Sequence, residues 1–556
     1  MTRQKRSGLL GAALAILSVG AAVAQVTPQV PPTVDPAQLQ RQREALELQR
    51  QQAAPKPVDP KLTAPAAERP AGSEAPGPSF ILKRVEFTPS RFLTEAELQA
   101  VVAGQMGKPT TFADVKRLAI EINALYLARG HLTARAFVPS QRVAEGNLKV
   151  QLIEAQLSAV VMPPKTRLSK DFLEAVIATP VGSLIDGPAI SERLTRLHRG
   201  TPDNRIALDF AASESRQAGL SVIKIDTEEP PRWTAKLAAS NEGADSLGKN
   251  QLSANVALNN LLGRTDKLSL LLIGSKGSVS ANVQYGLPLP GPFLAWGTRF
   301  NVGLSHGKTQ TVSPGFESVK LDGASSGANL GLSQPLWRRG VWSLDGGLSL
   351  GLTQSATDIQ KERFSDIHTR SLGLTATLGR QTEDSTASVG LALNQAHTST
   401  QGDTSRNTFV TQLNASLQQV IGAGFWLNSR AVIQRTGALQ LPSTLQFQAG
   451  GPGTVRGYPS PAASGDQGET LSLELHRPLT QWSERIDAFV FVDAGRVSTK
   501  GAVASKLASA GLGGSYAGDR WQLAVNVAAP RKALPQIPKD STRLTLRLSA
   551  DLEKFL

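Results

Sequence analysis

The stretch Gly450–Ser460, GGPGTVRGYPS, sets one guanidinium and one phenol, Arg456 and Tyr458, in a setting dense with glycine and proline. Residues of that kind make a loop, because they supply turn conformations and interrupt ladders. A planar guanidinium presents paired donors that match a carboxylate. The segment FVFVDAGRV, Phe489–Val497, holds such a carboxylate. Alternation puts Asp487, Phe489, Phe491, Asp493 and Gly495 on one face of a strand and Ala488, Val490 and Val492 on the other. If the loop folds toward that strand, Arg456 and Asp493 form a bidentate pair that fixes geometry more than it adds stability. The alternative is that Arg456 caps a surface loop. Gly450, Gly451, Gly453 and Gly457 permit a sharp path. Tyr458 can lay its ring on the same wall and keep its hydroxyl in water.

Other chemistry is thin. GLSLG, Gly347–Gly351, matches a nucleophile elbow in letters, but Ser349 lies mid-strand rather than at a strand-to-helix corner. The histidines at 131, 198, 306, 368, 397 and 476 show no metal spacing and read as ordinary surface or lumen residues. Cysteine is absent, which excludes disulfides and thiolate metal sites. No phosphate-binding loop is present. The expectation is no catalytic residue, no cofactor and no metal. Net charge is +14, but no basic cluster is interleaved with aromatics, so nucleic acid is not an expected partner.

These side chains need elements to hold them. Residues 1–24 read as a signal peptide: Arg3, Lys5 and Arg6, an apolar run, then Ala22-Val23-Ala24. Residues 25–52 carry a polar helix, Pro36–Gln52, too poor in apolar residues for a dry core and suited to a wet cavity. Residues 53–78, rich in Pro and Ala, read as an extended linker. Residues 79–155 follow a β-α-α-β-β order, with a capping box at Thr94 and Glu97 and one apolar helix face at Val115, Leu118, Ile122, Leu125 and Tyr126. Residues 156–228 repeat that order.

From 229 to 556 alternation replaces helical periodicity, over about sixteen segments. NQLSANVALNN places Leu252, Ala254, Val256 and Leu258 against Ser253, Asn255 and Asn259; AWGTRFNVGLSHG sets Trp296, Phe300, Val302 and Leu304 against Gly297, Arg299, Asn301, Gly303 and Ser305. The second face fills no core, and aromatics are only 5% of the chain. The apolar face must therefore meet lipid and the polar face a lumen. The expected fold is an all-β transmembrane barrel of antiparallel strands behind two α+β modules and an N-terminal helix.

In this order of parts the chain resembles the two-partner secretion transporters of the haemolysin secretion/activation type. VRGY at Val455, Arg456, Gly457 and Tyr458 resembles that family's loop-tip motif, and FVDAG, with Phe491, Asp493 and Gly495, resembles its strand motif. NEGADSLGKNQLSANVALNNLLGRTDKL is similar to its entry into the barrel. The resemblance implies POTRA modules in the periplasm, a barrel in the outer membrane of a Gram-negative bacterium, and pairing of Arg456 with Asp493. It implies a large secreted β-helical cargo (adhesin, cytolysin or toxin), captured unfolded by β-augmentation, with outer-membrane lipid and the barrel-assembly machinery as further partners. The polar helix would plug the lumen. Competing readings are a barrel-assembly factor and a passive porin. The last strand departs from the pattern: its in-phase terminal residue is Leu556, where outer-membrane barrels carry an aromatic, and Phe555 is out of phase.

Overall fold

The computed structural model describes residues 61–63, 79–143, 145–213, 217, 219–312, 321–400, 404–534 and 541–554. The expected signal peptide, the polar helix and the chain end at Phe555 and Leu556 lie outside these residues.

Among the described residues, sixteen antiparallel strands close into a barrel, from Trp233–Ser240 to Arg543–Asp551. The last strand pairs with the first, Leu237 opposite Ala550 and Ser240 opposite Arg547. Closure removes every free edge, the requirement for β-structure in lipid. The period-2 pattern survives in three dimensions. On the thirteenth strand, Ile486–Ser498, Val490 and Val492 are 57% and 53% exposed on the outer wall, while Phe491 and Asp493 are each 3% exposed on the inner one.

One segment departs from simple alternation. Trp296 and Gly297 belong to no strand: a short helix, Pro292–Ala295, precedes them, and the fifth strand begins at Arg299. Pro292 at the helix start and Gly297 at φ 72° are turn chemistry that outranks the apolar alternation.

The modules share one plan. In the first, Arg84–Phe87 runs parallel to Asn147–Glu154, which runs antiparallel to Ala134–Phe137. In the second, Gln156–Val161 runs parallel to Leu220–Glu228, which runs antiparallel to Arg205–Ala212. Each sheet is covered by two helices, Glu95–Ala103 with Phe112–Ala128 and Lys170–Ile177 with Gly187–Gly200. Thr94 and Thr111 both build capping boxes. Each module has its own apolar core, around Ile122 and Tyr126 in one and Leu173, Ile190 and Ile223 in the other.

The stretch 53–78 is not wholly a free linker. Leu62 and Thr63 pair in parallel with Leu208 and Asp209, closing one edge of the second module's sheet. The Thr63 hydroxyl donates to Asp209 at 2.8 Å. An extended chain beside an unsatisfied strand edge takes up its donors, and the Pro-rich flanks do not prevent a two-residue pairing.

The second module sits against the barrel end at which Trp233 opens the first strand. By the family resemblance that end faces the periplasm. Following the strands up and down, all seven tryptophans lie at it: Trp233, Trp296, Trp337, Trp342, Trp426, Trp482 and Trp521. Trp426 turns inward, whereas Trp296, Trp337, Trp342, Trp482 and Trp521 are exposed.

Candidate functional site

The chain between the eleventh strand, Phe425–Thr436, and the twelfth, Gln467–Pro478, folds into the lumen. Its stem is a two-stranded hairpin, Phe447–Ala449 with Ala463–Gly465. The Asp466 carboxylate fixes the base by accepting from the backbone N–H groups of Gln440 and Leu441 at 3.0 and 2.7 Å. An apolar cluster of Phe447, Ala449, Val455, Tyr458 and Ala463 packs on Val497 and Leu507 of the wall.

Arg456 stands at the tip. Its Nε and Nη2 donate to the two oxygens of Asp493, each at 2.8 Å, and its backbone N–H donates to the same carboxylate at 3.0 Å. Nη1 donates to Glu474 Oε1 at 2.5 Å, and Nη2 to Ser472 Oγ at 3.0 Å. Ser472 in turn donates to Asp493 at 2.7 Å. The guanidinium lies 3.5 Å from the centroid of the Phe491 ring, a cation–π distance. The Arg456 side chain is 9% exposed and that of Asp493 fully covered. At such low accessibility the charges interact more strongly than on a wet surface, and losing one partner costs more than the pair contributes.

Sheet register explains the convergence. Ser472 lies opposite Asp493, Glu474 opposite Phe491, and His476 opposite Phe489. Side chains two residues apart share a face, so Ser472, Glu474 and His476 form a row beside Asp493, Phe491 and Phe489. Two glycines make room. A Cβ on Gly495 would stand 2.9 Å from Val455, and Gly457, at φ 87°, is itself in the left-handed region.

Tyr458 differs from expectation. Its hydroxyl is not in water: it donates to the carbonyl of Lys532 at 2.6 Å and accepts from the backbone N–H of Ala508 at 3.2 Å. The ring is 2% exposed. A buried phenol needs such partners, and Ala508 in the fourteenth strand and Lys532 just past the fifteenth supply them.

Sequence reasoning passed over Ser472 and Glu474 and read His476 as an ordinary surface or lumen residue. His476 is not an ordinary surface or lumen residue, because Trp426 and Phe489 enclose its ring. The alternation of SLELH was the available signal: it places these three residues on the polar face, one strand from Asp493. Among the described residues no group of His, Asp and Glu has the arrangement of a metal site.

A second set of contacts joins the second module to the barrel. Leu294, from the helical turn before the fifth strand, is buried in the second module's core. Glu229 accepts from Thr166 Oγ1 at 2.7 Å, from the Arg167 backbone at 2.9 Å and from Asn260 at 2.6 Å. Burial alone would raise the Glu229 carboxyl, but hydrogen bonds from Arg167, Thr166 and Asn260 outweigh it and hold the group below its ordinary value. Arg199 meets Asp345 at 2.5 Å, and the Ser169 N–H donates to the Gly263 carbonyl at 2.9 Å.

The family model described as haemolysin secretion/activation protein ShlB/FhaC/HecB matches residues 219–518, and the ShlB-type POTRA domain matches residues 80–155. The outer membrane transporter CdiB of Dickeya dadantii is 24% identical over 308 residues, covering 54% of this chain and 53% of its own. The chain thus spans about half the length of that relative. The heme/hemopexin transporter protein HuxB of Haemophilus influenzae, strain Rd, is 24% identical over 488 residues, 82% of this chain and 84% of its own. Among solved structures, CdiB from Escherichia coli matches with TM-score 0.71 at 18% identity, over 95% of this chain and 100% of that one. BamA from Haemophilus ducreyi lacking POTRA domains 1–3 matches with TM-score 0.53 at 14% identity, over 85% and 100%. At these identities both solved structures share the fold.

Proposed function

This chain belongs to the haemolysin secretion/activation family, with its barrel in the outer membrane and its POTRA region in the periplasm, and from that premise we propose that it carries one unfolded secreted protein through its own lumen. The observation that supports this reading is the inward loop pinned by Arg456. A folded hairpin held on the wall by one charged cluster and one apolar patch is an obstruction that can be released as a unit. The module sheets offer strand edges at Arg84–Phe87, Ala134–Phe137 and Gln156–Val161 for an extended cargo. The edge at Arg205–Ala212 becomes available if cargo displaces Leu62 and Thr63. Folding of the cargo outside supplies direction. Family membership supports transport over barrel assembly or passive diffusion.

The test is co-expression in a Gram-negative host with a long, β-helical secreted protein encoded beside this chain. The cargo is expected outside the cell only when this chain is present. Export that is equally efficient without the chain refutes the reading.

A further inference from the structure

His476 lies one strand from the loop tip, 6% exposed, with its ring stacked between Trp426 at 3.8 Å and Phe489 at 4.5 Å. Each ring nitrogen faces a carboxylate. Nδ1 is 2.6 Å from Asp487 Oδ2, and Nε2 is 3.1 Å from Glu474 Oε2. Ionised carboxylates only accept hydrogen bonds, and a neutral imidazole has one N–H. Both contacts are hydrogen bonds only when the ring carries two protons. Two aromatic faces then enclose a cation, an arrangement that favours it.

Glu474 is the link to the loop. Oε2 takes His476 and also Asn428 Nδ2 at 2.6 Å, and this turns Oε1 toward Arg456 Nη1. The charged groups around the ring are Glu474 on its own strand, Arg430 on the eleventh strand beside Ser472, Asp487 and Asp493 on the thirteenth, and Arg456 from the loop. With His476 charged, the cluster holds three cations against three carboxylates. With His476 neutral it carries one uncompensated negative charge, and Nε2 or Nδ1 presents a lone pair to a carboxylate.

We propose that His476 is a positioning residue of the loop contact: in its doubly protonated form it holds Glu474 in the orientation that receives Arg456, and loss of its proton loosens the loop. Asp493, Ser472 and the Phe491 ring then retain the guanidinium without Glu474. The inference rests on the reading of the loop as a releasable obstruction, and the test separates the two.

The full chain is reconstituted in lipid nanodiscs with spin labels on Ser464 of the loop stem and Thr436 of the wall, and the released fraction is read from their distance distribution between pH 5 and 9. Nitrogen-15 spectra of histidine-labelled protein, with the His476 signal assigned by its absence in His476→Gln, report the ring. The expected result is a doubly protonated His476 at low pH and a released fraction that rises about tenfold as that signal is lost, the scale of one charge-assisted hydrogen bond. In His476→Gln, verified as folded by heat-modifiable gel mobility, the released fraction is raised and flat across pH. A singly protonated ring throughout the range, or a variant that keeps the wild-type pH profile, overturns the proposal. Arg456→Ala separates the two ideas: if it too leaves the loop in place, the loop is not releasable at this contact, and the nitrogen spectra still decide the state of His476.

Discussion

The molecule has two joints, and they are built oppositely. The loop meets the barrel wall in one compact patch, where a single guanidinium serves Asp493, Glu474, Ser472 and the Phe491 ring at once and an apolar cluster with Tyr458 packs beside it. The second module meets the barrel through four spread contacts: Leu294 in the module core, Glu229 with Asn260, Arg199 with Asp345, and Ser169 with Gly263. A concentrated joint draws its charged contacts from one side chain and can open as a unit. A distributed joint loses a fraction of its strength with each contact and holds its geometry. The first suits a part that moves during transport, the second a part that must stay aligned with the lumen entrance.

The largest expected effect is at the concentrated joint. Arg456→Ala removes every guanidinium contact of the tip, and secretion falls tenfold or more, on the order of one charge-assisted bond, while the barrel still assembles. Arg456→Lys restores little, because an ammonium cannot span both Asp493 oxygens. Arg456→Ala combined with Asp493→Ala is scarcely worse than either change. Secretion measured by immunoblot beside heat-modifiable mobility checks all three. Defects that multiply break the comparison, since they mean two independent roles.

At the distributed joint, Leu294→Ala leaves a cavity in the second module's core and costs that module about 2–3 kcal/mol in urea unfolding. Secretion falls less than for Arg456→Ala, because the other contacts keep the module in place. Equal loss from the two changes would show that this joint is also concentrated.

The smallest effect is acid-dependent. Glu229 has a folded carboxyl value below the unfolded one, so its contribution is complete above the unfolded value and is lost as pH falls through the folded value. Widening of the distance between labels on the module and the barrel is therefore expected below about pH 4 and absent at neutral pH. Glu229→Gln shows a slight widening at neutral pH and no further change on acidification. A variant that still responds to acid places the sensitivity elsewhere in the joint.

Much of the fold was legible because lipid imposes a rule on sequence. A wall one residue thick between hydrocarbon and water forces alternation, and Val490, Phe491, Val492 and Asp493 display it. The modules were legible through their capping residues and helix faces. At the tip, Arg456 and Asp493 stood out by type, glycine company and family resemblance. Glu474 and His476 did not, because alternation says which way a side chain faces but not which loop lands on it. The module joint was less legible still. Leu294 and Asn260 sit in turns that look like punctuation, and their partners, Leu197 in the module core and Asn204, are far away in sequence. Tyr458 misled for a related reason: its hydroxyl partners are backbone groups, which carry no sequence mark.

The tryptophans at the periplasmic rim have a mechanical consequence. On the proposed route, cargo drawn outward pulls the barrel in the same direction. To yield, the barrel would drag Trp296, Trp337, Trp342, Trp482 and Trp521 from the headgroup layer into hydrocarbon, where an indole N–H finds no acceptor. No tryptophan stands at the opposite rim to oppose a downward push in the same manner. The ring therefore works as a flange on one side of the membrane, bearing load in the direction in which the load is applied.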